Sequence, residues 1–166
     1  MHAKVNPLWT LFPKPGAGAC ALAALLLAAT AAQADGGRPA VPLLPKYQQE
    51  CASCHLAYPP GALPASSWQR LMRDLPNHFG TDASLDAATQ KALTGWLVAH
   101  AGTWKRVREA PPQDRITRSA WFQRKHDEVA PATWRRPAVK SAANCAACHP
   151  QAEQGDYDED RIRIPR

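Results

Sequence analysis

The chain has 166 residues, of which 45% are hydrophobic and 20% charged, and its net charge is +6. This composition excludes a disordered chain, a collagen-like repeat and a polytopic membrane protein. Val and Ile are scarce and no long block of like charge occurs, which argues against an all-β domain and against a nucleic-acid tail.

Residues 1–34 read as a cleaved secretory signal peptide. Lys4 and Lys14 supply a positive start, residues 17–29 form an apolar run, and Ala32-Gln33-Ala34 is a small-x-small cleavage site before Asp35. The run is shorter than the roughly 20 residues of a membrane span. Cys20 precedes the Leu25-Leu26-Leu27 cluster, the wrong place for a lipoprotein cysteine, and is discarded with the leader. The mature chain, 35–166, then has a net charge of +4, four Cys, five His and a lone Met at position 72. It is expected in the periplasm, as a monomer without disulfides.

The mature chain opens on a Pro-rich extended stretch, 35–46. A cysteine pair follows at 50–55, and Pro59-Pro60-Gly61 turns the chain. Ser66 or Ser67 is placed to cap a helix with Trp68, Leu71, Met72, Leu75 and Phe79 on one face, which Pro76 should kink or break. Ser84 is placed to cap a second helix carrying Leu85, Leu93, Trp96, Leu97 and His100 on one face, with Gly102 as its stop. A basic loop covers 105–112. Thr117 or Ser119 starts a short helix through Trp121, Phe122, His126 and Val129. After a loop at 131–137, Ser141 is placed to cap a helix leading into the second cysteine pair. The tail, 155–166, is acidic and then basic. Short helices joined by long Pro-rich loops make a thin core, and small domains of that kind need a staple.

The staple is legible in the cysteines. Cys51-Ala52-Ser53-Cys54-His55 and Cys145-Ala146-Ala147-Cys148-His149 are two copies of C-x-x-C-H, the attachment signature of c-type haem. Two thiols add to the two vinyl groups on one porphyrin edge, and the following His becomes an axial ligand to iron. A zinc site would use knuckles about 15–20 residues apart, whereas 90 residues lie between these and both following His would be unexplained. A thioredoxin-like pair would need a βαβ setting. Two covalently bound haems are therefore expected, held by Cys51, Cys54, Cys145 and Cys148, with His55 and His149 on the irons.

The second axial position decides the chemistry. A His/Met pair raises the potential and a vacant site admits substrate. Met72 shares a helix face with Trp68, Leu71 and Leu75 and reads as core. His78, 23 residues after His55, and His126, 23 residues before His149, lie beside Phe79 and beside Trp121-Phe122. They are the candidate distal ligands. His100 reads as a helix-end residue that complements the dipole, or as a replacement for one of the two. Pairing within each half, about 45–102 and about 113–160, keeps loop closure short; a crossed arrangement remains open.

The stretches CASCHLAYPPGALPASSWQRLM (51–72), LPNHFGTDASLD (75–86), RITRSAWFQRKHDEV (115–129), SAANCAACHP (141–150) and GDYDEDRIRIP (155–165) resemble a family of small periplasmic dihaem cytochromes c of proteobacteria. The resemblance covers nearly the whole mature chain. It implies a mostly helical dihaem fold, bis-His ligation through His55, His78, His126 and His149, and an electron-carrying role rather than an enzymatic one. It also implies a monohaem oxygen-binding cytochrome as partner, often with a membrane cytochrome b upstream. The alternatives are a dihaem subunit of a periplasmic reductase, and a peroxidase or gas reductase with a vacant axial site. The basic segments Lys105-Arg106-Val107-Arg108 and Trp134-Arg135-Arg136 are open to steering an acidic partner or to being solvated loops. The acidic run 156–160 is read as pairing locally with Arg161 and Arg163.

Overall fold

A computed structural model describes residues 41–166; the segment expected to be a signal peptide, with Cys20, and the first half of the Pro-rich stretch lie outside the described residues. The described chain is helical, without a strand among the described residues.

Helix α1, Pro45–Cys51, begins on a proline, so the extended stretch ends sooner than expected. Proline suits a first helical position, where its missing N–H leaves no bond unmade. Tyr47 is the buried residue of α1, and Cys51 is its last residue, which ties the first cysteine pair to a helix end.

Helix α2 spans Ala65–Arg73 and is not capped by a serine: Pro64 holds the N-cap position, and Ser67 is inside the helix and buried. The helix is over before Pro76, which sits in a 3-10 turn, Leu75–Asn77. A prolyl ring would clash with the carbonyl one turn back. Trp68, Met72 and Leu75 are buried as expected, but Phe79 lies beyond the break with φ 51° and is 45% exposed. Gly80 follows at φ 94°, a backbone that L side chains rarely adopt.

Helix α3 spans Ala87–Ala99. Its cap is Asp86, not Ser84: the Asp86 carboxylate accepts from the Thr89 N–H at 2.9 Å. Ser84 is occupied elsewhere, donating from N–H and hydroxyl to Asp82 at 2.9 and 2.5 Å. Leu93 and Leu97 are fully buried and meet Trp68 and Met72 of α2, with Tyr47 of α1, in one hydrophobic cluster. Burying each such side chain is worth about 1.5–3 kcal/mol. The pairing of α2 with α3 is therefore the main apolar base of the described chain.

Gly102 is not the helix stop, since α3 ends at Ala99 with His100 at the C-cap. Its role is close approach. Its N–H donates to Leu63 O at 2.8 Å, and a Cβ there would run into the Val107 side chain and stand 2.5 Å from Gly61 O. Gly102→Ala is expected to cost about 1–3 kcal/mol, the usual penalty of overpacking. A thermal melt of the haem-loaded protein checks this; an unchanged Tm would mean the 102–107 loop gives way freely.

Beyond α3 the chain is mostly 3-10 turns. Helix α4, Ala120–Lys125, is capped by Ser119. No α-helix leads from Ser141 into the second cysteine pair: Lys140 is left-handed at φ 69°, Ser141 Oγ accepts from Ala143 N–H at 3.3 Å, and Cys145–Ala147 is a single 3-10 turn. The left-handed residue interrupts helical geometry, and too few residues remain to start again. In this half Phe122, Val139 and Ala152 are buried, outside the cluster that α2 and α3 share. The tail folds back instead: Arg163 N–H donates to Cys148 O at 2.9 Å and Arg136 to Pro165 O at 2.5 Å. Arg161 pairs with Asp156, and with Asp158 at 3.5 Å, the local pairing read from the sequence.

Candidate functional site

His55 follows α1 by four residues, and the 75–77 turn carries His78 back to it. Their ring centres lie 6.1 Å apart with planes at 25°. His126 closes α4 and meets His149 with ring centres 6.3 Å apart and planes at 75°. Each C-x-x-C-H histidine thus faces one of the two candidate distal histidines, each within its own half.

The spans can be tested against a metal. A bond of about 2 Å from a metal to an imidazole nitrogen puts the ring centre roughly 3.2 Å away, so two imidazoles on opposite sides would stand about 6.4 Å apart. Both gaps fit. Among the described residues no group of three or more His, Cys, Asp and Glu converges as a bare metal ion would require, so the structure offers two two-histidine gaps rather than a zinc cluster.

The ring nitrogens support the same fit. His55 Nδ1 lies 2.7 Å from Leu56 O and His126 Nδ1 lies 2.9 Å from Phe122 O. A carbonyl only accepts, so each Nδ1 is the donor, which leaves Nε2 as the nitrogen open to a metal. Metal-binding histidines are typically oriented in this way. In His78 and His149, Nδ1 is buried without a protein partner, which is costly for a polar atom unless a further group meets it. Burial, more than the neighbouring His55 and Arg115, lowers the His78 pKa. Burial also lowers that of His149, with His126 adding and Asp156 opposing. Neutral imidazole, the ligating form, is favoured in both.

A cavity of about 510 Å³ lies between Cys51, Cys54 and His55 on one side and Met72, Leu75 and His78 on the other. It falls in the size range of cofactor pockets, about 300–1,000 Å³. Met72 is buried in the α2 core face and also lines this cavity. The same cavity reaches Cys145, and a second, of about 580 Å³, runs between His55 and Tyr58 and the 140–146 segment. The two cysteine motifs therefore border common space. Burial pushes the Cys51 thiol up to about 11, with Glu50 adding, and raises Cys145 and Cys148 in the same direction.

Aromatic side chains line both gaps, and several escape sequence reasoning. Tyr58 stacks on His55 at 5.0 Å and 20°. Phe122 stacks on His126 at 4.0 Å, with Trp134 at 5.8 Å. Tyr157 lies 5.4 Å from His149. Tyr58, Trp134 and Tyr157 sit in stretches without helical periodicity, so no pattern marked them. Phe79 packs edge-on to His78 at 4.9 Å, with the Arg115 guanidinium 4.2 Å from its ring centre. His100 is remote from these pairs in chain and contacts: its Nδ1 is 2.8 Å from Trp96 O at the end of α3.

Ser119 shows how α4 holds His126. Its hydroxyl donates to Ile116 O at 2.7 Å and accepts from Phe122 N–H at 3.2 Å, and the residue is buried. A helix of six residues has little stability of its own. Ser119→Ala is expected to cost about 1–2 kcal/mol, with a lowered Tm in a thermal melt. A Tm equal to the parent's would mean that packing alone holds α4.

Three comparisons bear on this geometry. The family model for dihaem cytochrome c matches residues 47–157. No curated protein sequence matches. Among solved structures, the diheme cytochrome type c of Shewanella baltica OS155 is 40% identical, with 75% of this chain and 95% of that chain covered and a TM-score of 0.66. A diheme cytochrome c purified from Rhodobacter sphaeroides is 47% identical over 70% of this chain and 99% of that one, with a TM-score of 0.61.

Proposed function

The chain belongs to the dihaem cytochrome c family, an electron-transfer family whose members carry two covalently bound c-type haems, and on that premise we propose that both irons are held between two histidines. His55 and His78 would hold the first and His149 and His126 the second, with Cys51 and Cys54, and Cys145 and Cys148, making the thioether bonds. The observation that carries this reading is the pair of histidine gaps, 6.1 and 6.3 Å, each beside its own C-x-x-C-H.

Each haem supplies a one-electron ferric/ferrous couple. The protein's part is to hold the ligands still while charge changes, since reorganisation slows electron exchange. His55 and His126 are locked through Nδ1 to backbone carbonyls. Phe122 and Tyr58 pack flat on the same two rings. With a histidine on each side, neither iron would offer a substrate a place to bind, which favours a carrier over a peroxidase or gas reductase. We place the mature protein, 35–166, in the periplasm after loss of residues 1–34. Its partners would be other redox proteins, a small monohaem cytochrome and a membrane cytochrome b being those that the sequence resemblance suggests.

The test is electron paramagnetic resonance and near-infrared spectroscopy of the oxidised protein. Two imidazoles held near parallel, as His55 and His78 are at 25°, would give a bound low-spin ferric haem a rhombic signal. Two held near perpendicular, as His126 and His149 are at 75°, would give a strongly anisotropic one. Two different low-spin signals are expected. A high-spin signal or a Met–iron charge-transfer band would overturn the assignment.

A further inference from the structure

We propose that Tyr58 is the positioning residue that sets the two haem centres relative to each other, and with that the ease of electron passage between them. This rests on the carrier reading above.

Tyr58 touches both attachment segments. Its ring lies 5.0 Å from that of His55 with planes at 20°. Its hydroxyl donates to Ala143 O at 2.8 Å, across 85 residues of chain. Ala143 stands two residues before Cys145, so one side chain joins an axial ligand of the first haem to the backbone that presents the thiols of the second. Tyr58 is itself pinned: Tyr47, buried in α1, donates from its hydroxyl to Tyr58 O at 3.0 Å. Helix α1 ends at Cys51, so the strut runs from one thioether site to the other through two tyrosines. Other links between the halves, Trp121 Nε1 to Ala62 O at 3.3 Å and Arg70 to Asp114 at 2.6 Å, do not involve either motif. The strut borders the cavities that reach both motifs. Electron exchange falls steeply with the distance between centres, so a contact that holds this spacing acts on the rate even where it adds little to stability.

The experiment uses the haem-loaded protein with Tyr58→Phe, which keeps the ring on His55 and loses the donor, and Tyr58→Leu, which loses both. Haem count by mass and spin state come first. Both variants are expected to keep two low-spin haems. In Tyr58→Phe the magnetic interaction between the two ferric irons should weaken. Electron exchange between the haems, followed by nuclear magnetic resonance line-broadening in half-reduced samples, should slow against the parent, because the lost hydrogen bond no longer holds the spacing on which the exchange depends. Tyr58→Leu should add a spectral change confined to the first haem. Wild-type coupling and exchange in Tyr58→Phe would overturn the proposal alone. A high-spin iron in the unmutated protein would instead overturn the bis-histidine reading beneath it.

Discussion

Replacing His78 by Ala is expected to turn one of the two haems high-spin while the other keeps its low-spin spectrum, and His126→Ala to do the same to the other haem. Each change removes one imidazole from a two-histidine gap and leaves the C-x-x-C-H histidine in place. The haem stays attached, because the thioether bonds do not depend on the distal side. The two variants should not be equal. His78 sits in a turn at φ −64° that packs edge-on to the exposed Phe79, and the α2–α3 core behind it does not depend on the imidazole. His126 is stacked on Phe122 at 4.0 Å and tilted against Trp134. Its loss also removes an aromatic contact worth about 0.5–1.5 kcal/mol. His126→Ala should therefore lower Tm as well as change spin state. Absorption and electron paramagnetic resonance spectra of the two variants check this. If either variant kept two low-spin haems, the ligand at that site would have to be sought elsewhere, with His100 the remaining candidate.

The double variant Cys145→Ala, Cys148→Ala is expected to hold one haem and to lose much of the order of residues 113–160. This half has little core of its own: Phe122, Val139 and Ala152 are buried, but the main cluster is built from residues 47–97. Its elements are 3-10 turns and the six-residue α4. The apolar faces that line the second site would return to water, at about 2.5 kcal/mol for each 100 Å². At roughly 4 °C per kcal/mol, a fall in Tm of about 10 °C or more is expected. The matching change at Cys51 and Cys54 should hurt less, because Leu93 and Leu97 against Trp68 and Met72 survive it. Haem content by mass, Tm, and amide exchange resolved by region measure the difference. Equal losses in the two double variants would show that the α2–α3 base also leans on its cofactor.

Much of this was legible in the linear chain where the signal is local. The break before Pro76 follows from the proline ring, and the apolar stripe of α2 and α3 from helical spacing. Capping was read less well. Ser84 looked like a cap, yet Asp82 engages it and Asp86 caps α3 instead. Ser141 looked like another, yet the left-handed Lys140 stands just before it. Competing acceptors and backbone reversals of this kind depend on geometry that residue type alone does not state.

The sequence by itself determined the attachment chemistry. C-x-x-C-H is a covalent pattern complete within five residues, so it survives any uncertainty about the rest of the fold. It also limited the distal candidates, because residues 35–166 hold only three histidines beyond those of the two motifs. Only the tertiary structure decided which histidine meets which, at 6.1 and 6.3 Å, and that one pair lies near parallel and the other near perpendicular. It alone brought Tyr58 to Ala143 and Trp134 to His126. The first of these joins residues 85 apart and the second crosses a loop, both through turns without periodicity, and their geometry is set by how the chain closes on itself rather than by any local pattern.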